Sequence, residues 1–134
     1  VTNADYNKEG AARIFLVDDE NLVLKTTANI LINQGYNVIT ADNGVKAIEL
    51  IKAENFDLIL LDVAMPEMDG IEVLAQVSDI LAFRDTPVVI QSGIEDAEIL
   101  ENTEILGASA VLPKPYEAEE LIAMAKRYIA KIPA

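Results

Sequence analysis

Along the chain, short unbroken apolar runs alternate with stretches of helical periodicity. Ile14-Phe15-Leu16-Val17 is the first run, and it stops at Asp18-Asp19-Glu20. Continuous rather than alternating hydrophobicity predicts a strand covered on both faces, as in a parallel sheet. Residues 21–34 then put Leu24, Ala28 and Leu31 on one helical face, with Gly35 as the stop. The alternation repeats with a strand over 36–40 and a helix over 43–53 that turns Val45, Ile48 and Ile51 inward. Leu58-Ile59-Leu60-Leu61 is the most apolar strand, and it ends in Asp62. A Met-Pro-Glu-Met-Asp-Gly loop leads to a helix over 71–81 with Ile71, Leu74, Val77 and Leu81 inward. A fourth strand over 87–90 meets a polar break at Gln91-Ser92-Gly93, and an acidic helix is expected from about Glu95 to Leu106. Ala110-Val111-Leu112 is the fifth strand, followed by Lys114-Pro115. The last helix, over 117–131, faces Leu121, Ala125, Tyr128 and Ile132 inward and ends on Lys126, Arg127 and Lys131, where the helix dipole favours cations.

Five βα repeats predict one doubly wound α/β domain over 13–132, a parallel sheet with helices on both faces. Residues 1–12 are polar and aperiodic and read as a flexible tail or linker. A first residue of Val1 rather than Met fits a processed or excised chain.

Composition narrows the chemistry. With 51% hydrophobic residues over 134 positions, the chain can close a core without staples, and disorder is excluded. The 23 acidic residues outnumber the 10 basic ones, for a net charge of −13. Such a surface repels phosphate backbones and anionic lipid, so no direct nucleic-acid or membrane binding is expected. Cysteine and histidine are both absent, which removes thiol and Ser-His-Asp catalysis, Cys- or His-ligated metals and histidine switching. No apolar run approaches the ~20 residues of a bilayer span, and the expected location is cytoplasmic.

In open α/β sheets, sites gather at the carboxyl ends of the strands. Those positions here are Asp18, Asp19 and Glu20, then Asp62, Ser92 and Lys114. Clustered carboxylates need a positive charge among them, and an all-oxygen set suits a hard cation such as Mg²⁺, or Mn²⁺ in its place. A cation and Lys114 would keep Asp62 ionised and nucleophilic, with Ser92 as a hydrogen-bond donor. The reaction class is phosphoryl transfer onto a carboxylate. The plainer reading makes Asp18-Asp19-Glu20 an N-cap cluster and Asp62 a loop-capping acid. Asp69 is expected to cap its helix, and Gly44 and Gly70 to serve the backbone.

In these residues the chain resembles the receiver domain of two-component response regulators. Asp18-Asp19, Asp62 with Met65-Pro66-Glu67-Met68-Asp69-Gly70, Ser92 and Lys114-Pro115 carry the resemblance, supported by Gly35-Tyr36 and Ala41-Asp42-Asn43-Gly44. It covers about residues 13–132 and implies a flavodoxin-like sheet of order 2-1-3-4-5. It further implies that Asp62 is the phosphoacceptor and that Asp19 and Asp62 bind Mg²⁺ directly. Asp18 would bind it through water, and the backbone carbonyl of Ala64 would complete the protein ligands. Ser92 and Lys114 would contact the phosphoryl oxygens, and the Lys114–Pro115 peptide would be cis. The implied partners are a sensor histidine kinase or histidine phosphotransfer protein, docking near residues 21–25 and the loop after the fifth strand, and a downstream effector. The acidic fourth helix, fifth strand and last helix would form the output surface and a homodimer contact, with Glu98 or Glu101 against Lys126 or Arg127.

Two departures stand out. Val111 occupies the place where the family usually carries Tyr or Phe, so switching is expected to reshape residues 92–106 without an aromatic rotation. Tyr116 does not replace that aromatic. Ala64 and Ile94 flank the phosphoryl site with apolar side chains that cannot orient water, which predicts a long-lived phosphoaspartate. Three rivals remain. A Mg²⁺-dependent aspartyl phosphohydrolase would need a second acid where Ala64 stands. A flavin or nucleotide binder would need a Gly-rich loop where Asp18-Asp19-Glu20 stands. A degenerate receiver acting as an interaction module would have lost an acid or the lysine.

Overall fold

In the computed structural model, residues 9–93 and 107–129 are described. The strands are β1 (Arg13–Val17), β2 (Asn37–Ala41), β3 (Leu58–Asp62), β4 (Val88–Ser92) and β5 (Ala110–Pro113). They form one parallel sheet in the order β2-β1-β3-β4-β5. Helices α1 (Asn21–Asn33), α2 (Gly44–Ala53), α3 (Gly70–Arg84) and α4 (Ala118–Ile129) cover it. The acidic helix expected between Glu95 and Leu106, and with it Glu98, Glu101 and Ile94, lies outside the described residues, as do Lys131 and Ile132.

Unbroken apolar strands work here because alternate residues feed two cores. Phe15, Val17, Ile59, Leu61, Val88 and Ile90 pack with α2 and α3 on one face. Ile14, Leu16, Leu58, Leu60, Val89 and Leu112 pack with α1 and α4 on the other. Two-sided burial of this kind is what a parallel sheet requires. The helices present their apolar stripes as expected, with corrections at the edges.

Val45 is 58% exposed, not inward. The buried stripe of α2 is Gly44, Ala47, Ile48 and Ile51, an i, i+3, i+4, i+7 set, and Val45 lies about 100° round from its leading edge. In α3 the stripe is Gly70, Val73, Leu74, Val77 and Leu81, so Ile71 is only partly buried. That helix runs on to Arg84, and Asp85 in the left-handed region (φ 60°) ends it. Ile129 takes the inward place in α4, while Tyr128 stays half-buried with its hydroxyl donating to the Ser109 carbonyl at 3.4 Å. Gly35 does end α1, at φ 96°, with its N–H donating to the Ile32 carbonyl.

The polar break after the fourth strand is also corrected. Gln91 and Ser92 belong to β4 and are both buried. The Val63 N–H bonds the Gln91 carbonyl, and the Lys114 N–H bonds that of Ser92. The ladder therefore continues two residues beyond the apolar run. No helix among the described residues is long and apolar enough to cross a membrane.

Candidate functional site

Parallel register brings the strand ends to one edge of the sheet. Val17 pairs with Ala41 and Leu61, Asp62 pairs with Gln91, and Ser92 pairs with Pro113. Asp18 therefore leaves β1 beside the last residue of β3, and Lys114 leaves β5 at the same edge. The central strands β1 and β3 supply the acids, and the outer strand β5 supplies the cation.

Asp18 and Asp62 are almost wholly buried, at 1% and 4% exposure. The Lys114 Nζ donates to Asp18 Oδ2 at 3.2 Å and to Asp62 Oδ1 at 3.1 Å. Asp18, Asp19 and Asp62 each offer an oxygen within 4.8 Å of the others. One compact constellation thus holds four of the residues singled out in the sequence.

The capping reading fits poorly. Glu20 stands at the N-cap of α1 without a side-chain cap bond, and Asp18 Oδ1 accepts the Glu20 N–H at 3.0 Å. By contrast, Asp69 does cap α3, accepting the Glu72 N–H at 2.9 Å.

Burial, followed by repulsion from Asp18, pushes the Asp62 carboxyl up to about 6, against attraction and a hydrogen bond from Lys114 and a backbone bond from Ala64. Burial alone would lower the Lys114 ammonium, but Asp62 and Asp18 together outweigh it and hold it above the ordinary lysine value. Two carboxylates sharing one ammonium remain short of positive charge. Three hard oxygen donors at this spacing fit a divalent cation of the Mg²⁺ type.

Ser92 ends β4, buried, with its hydroxyl donating to the Gly93 carbonyl at 3.0 Å. Ala64 is exposed in the loop after β3. The Lys114–Pro115 peptide is cis. Val111 packs against the α2/α3 core, whereas Tyr116 packs against the α1/α4 core, so the sheet separates them.

The loop after β3 is held by close backbone approach. Gly70 donates its N–H to the Val63 carbonyl, and a Cβ at Gly70 would lie 2.3 Å from the Asp62 carbonyl oxygen. A Cβ at Gly44 would lie 2.9 Å from the Met68 side chain, which is softer. Gly70→Ala is therefore expected to lower stability by about 1–3 kcal/mol, because backbone must shift to admit the methyl group. Urea unfolding checks this, and Gly44→Ala should cost less in the same experiment.

Two polar residues near the site escaped sequence reasoning. Gln91 is 2% exposed, and its Oε1 accepts a 2.7 Å hydrogen bond from the Tyr116 hydroxyl. Thr27 on α1 is buried beside them. Gln91 follows Val88-Val89-Ile90, and period-two alternation would have put it on the same face as Val89. The polar type masked that signal.

The family comparison agrees with this geometry. The family model for the response regulator receiver domain matches residues 14–126. The chain belongs to the response regulator receiver domain family. This receiver domain is 37% identical over 116 residues to the transcriptional regulatory protein CrdR of Helicobacter pylori, covering 87% of the chain and 54% of that protein. It is 35% identical over 111 residues to the cell cycle transcriptional regulator CtrA of Caulobacter vibrioides, covering 83% and 47%. The chain thus spans about half the length of these curated relatives. Among solved structures it is similar to the chemotaxis protein CheY4 of Vibrio cholerae, with a TM-score of 0.81 and 29% identity over 88% of this chain and 98% of that one. The receiver domain of NtrX from Brucella abortus gives 0.79 and 28%, over 88% and 98%.

Proposed function

We propose that this receiver domain accepts a phosphoryl group from a partner's phosphohistidine onto Asp62. The observation that carries this reading is the buried Asp62 carboxylate held at 3.1 Å by the Lys114 ammonium, with oxygens of Asp18 and Asp19 in reach. In the transfer a carboxylate oxygen of Asp62 bonds to phosphorus while the phosphorus–nitrogen bond to the donor imidazole breaks. Lys114 neutralises charge on the equatorial oxygens, and Ser92 donates a hydrogen bond to one of them.

Asp19 and Asp62 would hold Mg²⁺ directly, Asp18 through water, and the Ala64 carbonyl would complete the protein set. When bound, the cation supplies Lewis-acid charge at the phosphoryl oxygens. These 134 residues contain no histidine, so the phosphohistidine lies outside this domain, on a sensor histidine kinase or a histidine phosphotransfer protein. Phosphorylation then shifts the output surface toward an effector or a second copy. Like its regulatory relatives, the domain acts as a switch rather than as an enzyme turning over an external substrate, and its setting is cytoplasmic.

The test is intact-mass analysis after incubation with acetyl phosphate and Mg²⁺. Wild type should gain one phosphoryl group, Asp62→Asn none, and omission of the cation should suppress the gain. Labelling of Asp62→Asn equal to wild type would sink the reading, and an unlabelled wild type that still binds its partners would favour the interaction-module alternative.

A further inference from the structure

Lys114 reaches its carboxylates from an outer strand. Two residues of β5 are only half-buried, Pro113 is exposed, and the Lys114 side chain is itself 30% exposed. A long, flexible ammonium stem depends for its aim on where its own backbone is held as well as on the carboxylates it bonds. The chain on either side of it is bonded to β4.

On the near side, the Lys114 N–H donates to the Ser92 carbonyl at 2.8 Å. On the far side, two residues on, the Tyr116 hydroxyl donates to Gln91 Oε1 at 2.7 Å. Ser92 and Gln91 are adjacent residues of β4, and Gln91 is the register partner of Asp62. Lys114 is thus tethered, before and after, to the strand beside the acid it serves. The anchoring phenol is pushed up by burial, opposed by a hydrogen bond from Thr27 and by the charge of Lys114. Thr27 of α1 and Tyr116 line the same cavity.

We infer that Tyr116 and Gln91 are positioning residues that aim the Lys114 ammonium at Asp62. An apolar pair would fill this space as well, but it would not fix one geometry. A directional bond to a buried amide does that, and a misplacement near 1 Å at a reacting centre costs up to about 10²-fold in rate. The inference rests on the phosphoacceptor reading of Asp62.

The experiment combines two readouts. Tyr116→Phe keeps the ring and removes the hydroxyl, and Gln91→Leu removes the acceptor. Each is expected to slow labelling by saturating acetyl phosphate about 10-fold, with half-saturating donor unchanged, and the double variant to be no slower than either. In protein carrying ¹³C-labelled lysine, the Lys114 ε-methylene signal should stand apart in wild type and move toward those of the exposed lysines in both single variants. A wild-type rate in Tyr116→Phe overturns the inference, as does an unmoved Lys114 signal, whatever the rate. Absence of labelling in wild type, or its persistence in Asp62→Asn, would instead remove the phosphoacceptor reading beneath it.

Discussion

In Mg²⁺-free buffer, Asp62→Asn is expected to be more stable than wild type at neutral pH and indistinguishable from it in acid. The cause is the position of the carboxyl at about 6 in the folded chain, well above the ordinary 3.8, because it is buried and faces Asp18. A raised acid holds its proton more tightly folded than unfolded, so its contribution to stability falls as pH rises from about 4 to about 6, and is flat beyond that. The span corresponds to on the order of 2–3 kcal/mol at pH 7. Asparagine removes the charge and keeps an acceptor for Lys114. Urea melts of both proteins between about pH 4 and pH 8 check this. Addition of Mg²⁺ near pH 8 should stabilise wild type and close the gap, by mass action on the folded state. Parallel stability curves across the range would refute the account.

Lys114→Met carries the second large effect, with the opposite sign for folding. Among the described residues it removes the one ammonium that bonds both Asp18 and Asp62, leaving two buried carboxylates face to face. Breaking a buried pair from one side costs about 3–5 kcal/mol, softened here because Asp62 can protonate. The loss should therefore be larger at pH 8 than at pH 5. The rate of labelling by acetyl phosphate should fall on the order of 10²–10³-fold, as when a donor to developing charge is deleted. Stopped-time mass analysis in saturating Mg²⁺ separates the two effects, because the cation restores folding without replacing the ammonium. Labelling within a few-fold of wild type would show that Lys114 serves stability alone.

Much of this organisation was legible in the chain because it rests on period and punctuation. Leu58-Ile59-Leu60-Leu61 could hardly be anything but a central strand, and the acid that ends it was conspicuous against that run. Asp18, Asp19 and Lys114 became readable because parallel strands bring their carboxyl ends together whatever lies between. The failures have equally local causes. An i, i+3, i+6 count puts Val45 inward, but that count drifts off the true stripe. Gln91 reads as a break because its polarity hides a buried position, and its partner Tyr116 lies 25 residues away on another element. Side-chain pairs of that kind leave no period to read.

The division of the site between central and outer strands has a kinetic consequence. Every residue of β3 is buried, and β3 lies between β1 and β4, so its amides can exchange with solvent only when the whole domain opens. On the described sheet β5 has one strand neighbour and two half-buried residues, so its amides are expected to exchange through smaller, more frequent openings. The carboxylates would then keep their places through fluctuations that carry the ammonium away and back. A phosphoryl group could arrive or leave on the timescale of that edge, without any loosening of the floor on which Asp62 stands.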